Sequence, residues 1–253
     1  MPATFTHTPP EVEKKDTGTG GKPPVVRRPT GGGGDGDNWQ NQPPGRRGPR
    51  ELLGTFRRGL FFGLAGDMMF FAALASAFFV QQQSGHINAN EQWIVGWHPI
   101  SMPPILWINT LVLLVSSITM EKGRRHLFHE PDVMEEWLGL GRPAGRRAMP
   151  WLVATLALGA LFLLGQWAAW EQLQKTQSAY FASNPSSHYF YLLTGMHAAH
   201  LVVGLAALVA AIVGLYIARR VVVRQVLVDC TAWYWHAMGV LWALLFLMLV
   251  FFQ

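Results

Sequence analysis

The chain has 253 residues, of which 50% are hydrophobic and only 14% charged, with one cysteine and a formal charge of +5. Soluble domains carry about 25% charged residues, so this composition excludes an ordinary water-soluble globule and points to a polytopic membrane protein. The lone Cys230 excludes a disulfide framework and any zinc or iron–sulfur site built on several cysteines of this chain.

The polar part comes first. Residues 1–58 hold 10 of the 20 Lys/Arg and 6 of the 15 Asp/Glu. Residues 1–50 are rich in Pro, Gly, Thr and Arg, as in Lys22-Pro-Pro-Val-Val-Arg-Arg-Pro-Thr-Gly-Gly-Gly-Gly-Asp35. Such a segment buries too little apolar surface to offset the entropy of ordering it and is predicted to be a disordered tail. It has neither the apolar core of a secretory signal nor the acid-poor composition of a transit peptide. Pro23-Pro24 and Pro43-Pro44 are candidate partner motifs, although a solvated leader with a few proline turns is the simpler account.

Residues 51–253 are predicted to form an all-α domain of five transmembrane helices, at about 59–80, 103–120, 150–170, 189–217 and 232–252. Each is long enough for the roughly 20 residues that cross a hydrocarbon core. In lipid the backbone must satisfy its own hydrogen bonds, and uninterrupted runs such as Leu201–Val213 lack the alternation of barrel strands. Loop charge orients the spans. The tail carries 10 Lys/Arg, loop 121–149 six and loop 218–231 three, whereas loops 81–102 and 171–188 share only Lys175. With five alternating spans, 19 of 20 cations fall on one side, which the positive-inside rule assigns to the cytoplasm. The N-terminus is therefore expected in the cytoplasm and the C-terminus in the periplasm. The basic balance reflects topology and anionic lipid, not nucleic acid.

Polar residues within the spans are few. Asp67 sits mid-span in the first; an ionised carboxylate there is costly, so it should face protein or water, pair, or be protonated. It is a proton-exchange candidate, with a neutral acid hydrogen-bonded inside the bundle as the alternative. His197 and His200 lie three apart on one face of the fourth span, and His236 begins the fifth. Facing imidazoles could ligate haem or a metal, but no HExxH or CxxCH motif and no neighbouring acids accompany them. Interhelical hydrogen bonding is the plainer role expected for Asn109, Gln166, Thr194, His197 and His200, and no metal site is expected. His126 and His129, in the basic loop, are expected to be solvated. Aromatic residues cluster near span ends, among them Trp93, Trp97, Trp167, Trp170 and Trp233 to Trp235, as in an interfacial belt. No Walker loop, Rossmann fingerprint, nucleophile elbow or paired carboxylates for hydrolysis are present.

Several segments resemble one family, subunit III of the haem–copper respiratory oxidases. Ala232-Trp-Tyr-Trp-His236-Ala-Met-Gly-Val-Leu-Trp242 is similar to the family's aromatic-Trp-His-Phe-Val-Asp-Val-Val-Trp helix. Thr194-Gly-Met-His197-Ala-Ala-His200-Leu-Val-Val-Gly204 is similar to its Thr-Gly-Phe-His-Gly-x-His-Val-x-x-Gly. Pro104-Ile-Leu-Trp-Ile-Asn109-Thr110 with Leu113 to Ser117, Gln166, and Gly66-Asp67-Met-Met-Phe-Phe71, where the family has Ser-Glu-x-x-Phe-Phe, follow in the family's order. Five spans resemble its shorter bacterial form. Two departures stand out: Asp67 replaces the family Glu, and Gly239 replaces an intramembrane Asp. In the third span the acid expected near Gln166 is displaced to Glu171.

The resemblance implies a non-catalytic subunit of the cell inner membrane in aerobic respiration. It would pack on the catalytic subunit I beside subunit II and a small subunit IV. This chain would bind no cofactor of its own; haem and copper belong to the partner subunits, and the complex takes electrons from cytochrome c or quinol. It further implies two helix groups, spans one and two against spans three to five, with phospholipid in a V-shaped cleft between them. Support of proton uptake and protection from turnover inactivation go with the family. Arg58, Trp235 and His236 fall in matched motifs as lipid-headgroup candidates. Two other classes stand beside this one: a small membrane haem protein using His197 or His200 with His236, and a proton or ion transporter built on Asp67.

Overall fold

In the computed structural model of the chain, the described residues are 49–87, 93–95, 102–139, 141–176, 185–218 and 220–252. Almost all of the expected tail, residues 1–48, lies outside them. Five long helices carry the fold: α1 (Pro49–Gln83), α2 (Ile105–Leu127), α4 (Pro143–Thr176), α5 (Pro185–Ile217) and α6 (Val221–Phe251). Between them lie the short α3 (Glu130–Trp137) and an antiparallel two-stranded ribbon, β1 (Gly85–Ile87) with β2 (Trp93–Val95), in which His86 faces Ile94. The ribbon is the one departure from an all-helical chain among the described residues. All five long helices are long and apolar enough to cross a membrane, and their outward faces carry large apolar side chains such as Phe61, Phe62, Leu111, Leu164 and Leu244.

The helices run beyond the apolar stretches that announce them. α4 begins at Pro143 and passes through Pro150. Pro143 opens the helix, where N–H groups lack carbonyl partners anyway, whereas Pro150 lies two turns in and forgoes one bond of the helical ladder. α6 begins at Val221, so much of the expected loop 218–231 is helical. Hydropathy marks the hydrocarbon thickness, while the helix continues until caps and turns stop it. α2 starts just after Pro103-Pro104 and ends with Arg124, Arg125 and His126 in its last turn, where cations complement the helix dipole. Between α3 and α4, Gly139 (φ 76°) and Gly141 (φ 133°) adopt left-handed conformations that other residues resist.

The helix grouping expected from the resemblance is not the one adopted. α1 does not pair with α2; it lies on α6 and α5, while α2 packs most extensively on α4 and then on α6. The reason is the placement of small and polar residues. A β-carbon on Gly159 of α4 would meet the Trp235 ring at 2.6 Å, and one on Gly165 would collide with the Asn109 side chain. One on Gly214 of α5 would meet Leu227 at 2.6 Å. Close approach at small residues, with polar side chains bonded across the seam, is how helices associate in lipid. Thr119 and Thr155 pair their hydroxyls at 2.8 Å, and Trp242 donates its indole N–H to Thr110 at 3.1 Å, so α2 is held to both α4 and α6. α1 is the least buried helix, with 11% of its apolar window inside the bundle. Its main inward residues are Phe71 and Phe78.

Candidate functional site

The mid-span acid and one of the histidines meet. His200 Nε2 of α5 lies 2.8 Å from Asp67 Oδ1 of α1. The imidazole Nδ1 lies 2.7 Å from the Met196 carbonyl oxygen one turn earlier. A carbonyl only accepts, so Nδ1 carries a hydrogen, and Nε2 and Oδ1 then need one further proton between them. That proton resides on histidine, giving an ion pair, or on aspartate, giving a neutral pair. Phe71 sits edge-on to the His200 ring, centroids 5.4 Å apart, and the Tyr234 hydroxyl of α6 donates to the His200 carbonyl at 2.9 Å. Asp67 Oδ2 is buried and has no hydrogen-bond partner among the described residues. The site is thus a largely enclosed carboxyl–imidazole couple with one proton between its two facing atoms.

The other interior polar residues serve different neighbours. His197, three residues from His200, is buried between Phe162 of α4 and Trp242 of α6, and neither ring nitrogen has a hydrogen-bond partner among the described residues. Gln166 is likewise buried, with both amide atoms unpartnered there. Asn109 donates weakly to the Phe162 carbonyl at 3.5 Å. Thr194 donates to the Phe190 carbonyl and accepts the Trp170 indole N–H at 3.1 Å, a contact between α5 and α4. His236 faces Glu121 at 3.7 Å. The imidazoles of His197, His200 and His236 therefore address three separate surroundings, which does not suit the paired axial ligation a haem requires. Among the described residues no three His, Cys, Asp or Glu side chains are grouped to hold a metal ion.

A second constellation was not anticipated from the sequence. Asp229 of α6 is fully buried and accepts from Arg57 of α1, Nε at 2.6 Å and Nη2 at 2.9 Å, and from Arg124 Nη1 of α2 at 3.3 Å. Arg124 in turn grips Glu121 with Nε at 2.8 Å and Nη2 at 2.9 Å, and Arg125 Nε reaches the same carboxylate at 2.9 Å. Asp229 thus joins α1, α2 and α6 at one end of the bundle. A signal was present: Asp229 is the one acid between Glu171 and the C-terminus, and it precedes an apolar run in a chain end otherwise rich in arginine. Its assignment to a loop hid it.

Arg58 is exposed and donates to the Gly54 carbonyl of its own helix at 3.3 Å, whereas its neighbour Arg57 turns inward. Trp235, expected at a lipid headgroup, has no exposed surface. Its indole N–H donates to Ser116 at 3.1 Å, and its ring fills the space left by Gly159. Packing against α2 and α4 removes it from lipid contact, and of the three headgroup candidates only Arg58 and His236 keep accessible surface. At Gly239 a β-carbon would stand 3.3 Å from the Ser117 hydroxyl, so the absence of the family acid there accompanies close packing of α6 on α2. His126, expected in solvent, stacks on Trp151 at 6.4 Å, while Lys122 lies 4.6 Å over the same ring. His129 lies 3.5 Å from Asp132, which also takes Arg147 at 2.9 Å and so ties α3 to α4.

Comparison with known proteins shows the family. The family described as Cytochrome c oxidase subunit III matches residues 51–253. The cytochrome c oxidase subunit 3 of Corynebacterium diphtheriae is 30% identical over 199 residues, covering 77% of this chain and 87% of its own. A probable cytochrome c oxidase subunit 3 of Mycobacterium bovis is 29% identical over 203 residues, 76% of this chain and 86% of that one. The subunit 3 of the lancelet Branchiostoma lanceolatum is 26% identical over 198 residues, 77% and 68% of the two chains.

Proposed function

Because the chain belongs to the cytochrome c oxidase subunit III family, we propose that it serves as the non-catalytic subunit III of a haem–copper terminal oxidase. It is a membrane-spanning part of an oxidase complex. Its neighbours in this reading are subunit I, which holds haem and copper, subunit II and a small subunit IV, with cytochrome c or quinol as electron donor. The arginine-rich ends of α1, α2, α4 and α6 share one side, read as cytoplasmic in the bacterial inner membrane. A C-terminal reporter found in the cytoplasm would overturn that orientation.

The observation that carries the mechanistic part is the Asp67–His200 contact. A couple holding one proton, enclosed between α1 and α5 beside an unpartnered carboxylate oxygen, takes up or releases that proton with little rearrangement. In this reading it supports proton supply to the catalytic subunit and shields that subunit from inactivation during turnover. Arg58 and His236 stand at the cytoplasmic end as contacts for a phospholipid headgroup, with Trp235 as packing behind them.

Mass spectrometry of the polypeptides that co-purify with the full chain tests the assembly: oxidase subunits are expected, and their absence sinks the reading. In the assembled complex, Asp67→Asn is expected to shorten turnover lifetime or slow proton uptake while assembly persists. Unchanged lifetime and unchanged proton stoichiometry would leave Asp67 as a structural hydrogen-bonding group only.

A further inference from the structure

A cavity of about 980 Å³ lies away from Asp67 and from the headgroup candidates. The first turns of α4, the last turn of α5 and the first turn of α6 enclose it, so it opens at the arginine-rich end of the bundle. Its mouth and its depth differ in chemistry. Arg142, Arg146 and Arg224 surround the mouth with Glu135 as the one acid, an excess of positive charge. Below them Met149, Val153, Ala154 and Leu215 form an apolar wall.

The arginines here differ from the others at this end. Arg57, Arg124, Arg125 and Arg147 each meet a carboxylate. Arg142 instead donates to the Tyr216 carbonyl of α5 at 3.1 Å, an end carbonyl beyond the reach of helical bonding. Neither Arg142 nor Arg146 has a carboxylate partner among the described residues, and both are exposed. Arg224 is buried, its Nη1 lying where a β-carbon on Gly145 would stand 3.4 Å away, so a glycine lets its guanidinium lie along α4.

A mouth at which Arg142 and Arg146 meet no carboxylate among the described residues, set over an apolar slot, complements an anionic amphiphile. The dimensions agree. From Arg146 to Ala157, α4 rises about 16 Å at 1.5 Å per residue, close to half the roughly 30 Å hydrocarbon thickness. That is the reach of one acyl chain in one leaflet. We propose that the groove between α4 and the α5–α6 turn is a binding site for an anionic glycerophospholipid, its phosphate held by Arg142 and Arg146 and one acyl chain laid along Met149 to Ala157. The inference uses the membrane placement of these helices and nothing of Asp67. Its site is separate from that of Arg58 and His236.

The test counts lipids bound to the full chain within the complex it purifies with, by native mass spectrometry after mild delipidation. Samples are supplied either with phosphatidylglycerol or with phosphatidylcholine. Wild type is expected to keep one more phosphatidylglycerol than Arg142→Gln/Arg146→Gln, with retention of that molecule falling about tenfold or more for the two lost charges. Phosphatidylcholine counts should not differ between the two. Arg142→Lys/Arg146→Lys should keep the lipid, and Ala154→Phe, which fills the apolar slot with the arginines in place, should lose it; these variants carry the test if the glutamine pair fails to assemble. A photoreactive benzoylphenylalanine introduced at Val153 should label phosphatidylglycerol. Equal phosphatidylglycerol counts in wild type and the charge-removed or slot-filled protein would overturn the proposal. So would equal retention of phosphatidylcholine, or a Val153 photoproduct with another polypeptide. The oxidase reading fails by a different sign, the absence of oxidase subunits from the purified sample; the lipid count is read on the chain itself in either case.

Discussion

Two acids in this bundle have opposite surroundings. Asp229, near the start of α6, receives three N–H groups from two arginines on two other helices. Asp67, midway along α1, has one imidazole contact and a second oxygen with no partner among the described residues. The first carboxylate is held by guanidinium groups, permanent cations whose planar forks over-determine its geometry. The second faces an imidazole, and one proton decides which partner is charged. Helix ends near the headgroups can sustain permanent charge, whereas the middle of the membrane favours a couple that can neutralise itself. The same residue type is thereby a clamp in one place and a candidate proton carrier in the other.

The clamp should fail most severely. Asp229→Ala removes three charge-assisted hydrogen bonds and leaves the partly accessible Arg57 and Arg124 facing each other without their shared anion, at a cost of about 3 kcal/mol. A marked fall in the melting temperature of the purified complex, or loss of assembly, is expected. A melting temperature equal to that of wild type would break the distinction between the two acids. His200→Phe should come next. It keeps a ring against Phe71 but leaves the Asp67 carboxyl without its donor, at a cost of about 1–3 kcal/mol. Asp67→Leu combined with His200→Phe should recover most of that loss, because replacing both partners removes the unsatisfied group. Such recovery in melting temperature without recovery of turnover lifetime separates the structural from the functional role of the couple.

Asp67→Asn should perturb stability least of the changes at this couple. With Nδ1 held to the Met196 carbonyl, His200 Nε2 can accept an N–H from the introduced amide, so the interhelical bond persists while the shared proton is gone. The expected change in stability is below about 1 kcal/mol, the net worth of an ordinary hydrogen bond. An effect on turnover lifetime against that small background is the signature of proton exchange, and a large fall in melting temperature instead would make Asp67 a second clamp.

The five spans were legible because apolarity is a property of each segment alone. Where the helices end was less so: hydropathy stops at the hydrocarbon boundary, but α6 starts at Val221 and α4 at Pro143. Hydropathy therefore assigns Arg224 and Asp229 to a loop and hides the clamp. Asp67, His200 and His236 were each named, yet the pairing of Asp67 with His200 depends on α1 lying on α5, which no local pattern encodes. Arg57 and Arg58 show the limit most clearly. Neighbours on a helix point about 100° apart, and the family motif favoured Arg58, while it is Arg57 that reaches Asp229. Trp235 was read as an interfacial aromatic because motifs do not report depth; Gly159 and Ser116, on two other helices, bury it.

The smallest effect should fall on Glu121, and it sharpens the contrast within the clamp itself. Glu121 takes Arg124 and Arg125 on its own helix and remains partly accessible, so it belongs to the class of exposed pairs worth about 0.5 kcal/mol or less. Arg124 keeps Asp229 when Glu121 becomes Gln, so the three-helix junction should hold. Raising ionic strength from about 0.1 M to about 1 M shortens the screening length from about 10 Å to about 3 Å. The small loss in melting temperature caused by Glu121→Gln should therefore vanish in high salt, while the large loss caused by Asp229→Ala should survive, because a fully buried carboxylate is not screened by ions that cannot approach it. If both losses faded together, Asp229 would have to be in contact with solvent, and the difference drawn between a dry clamp and a surface ion pair would collapse.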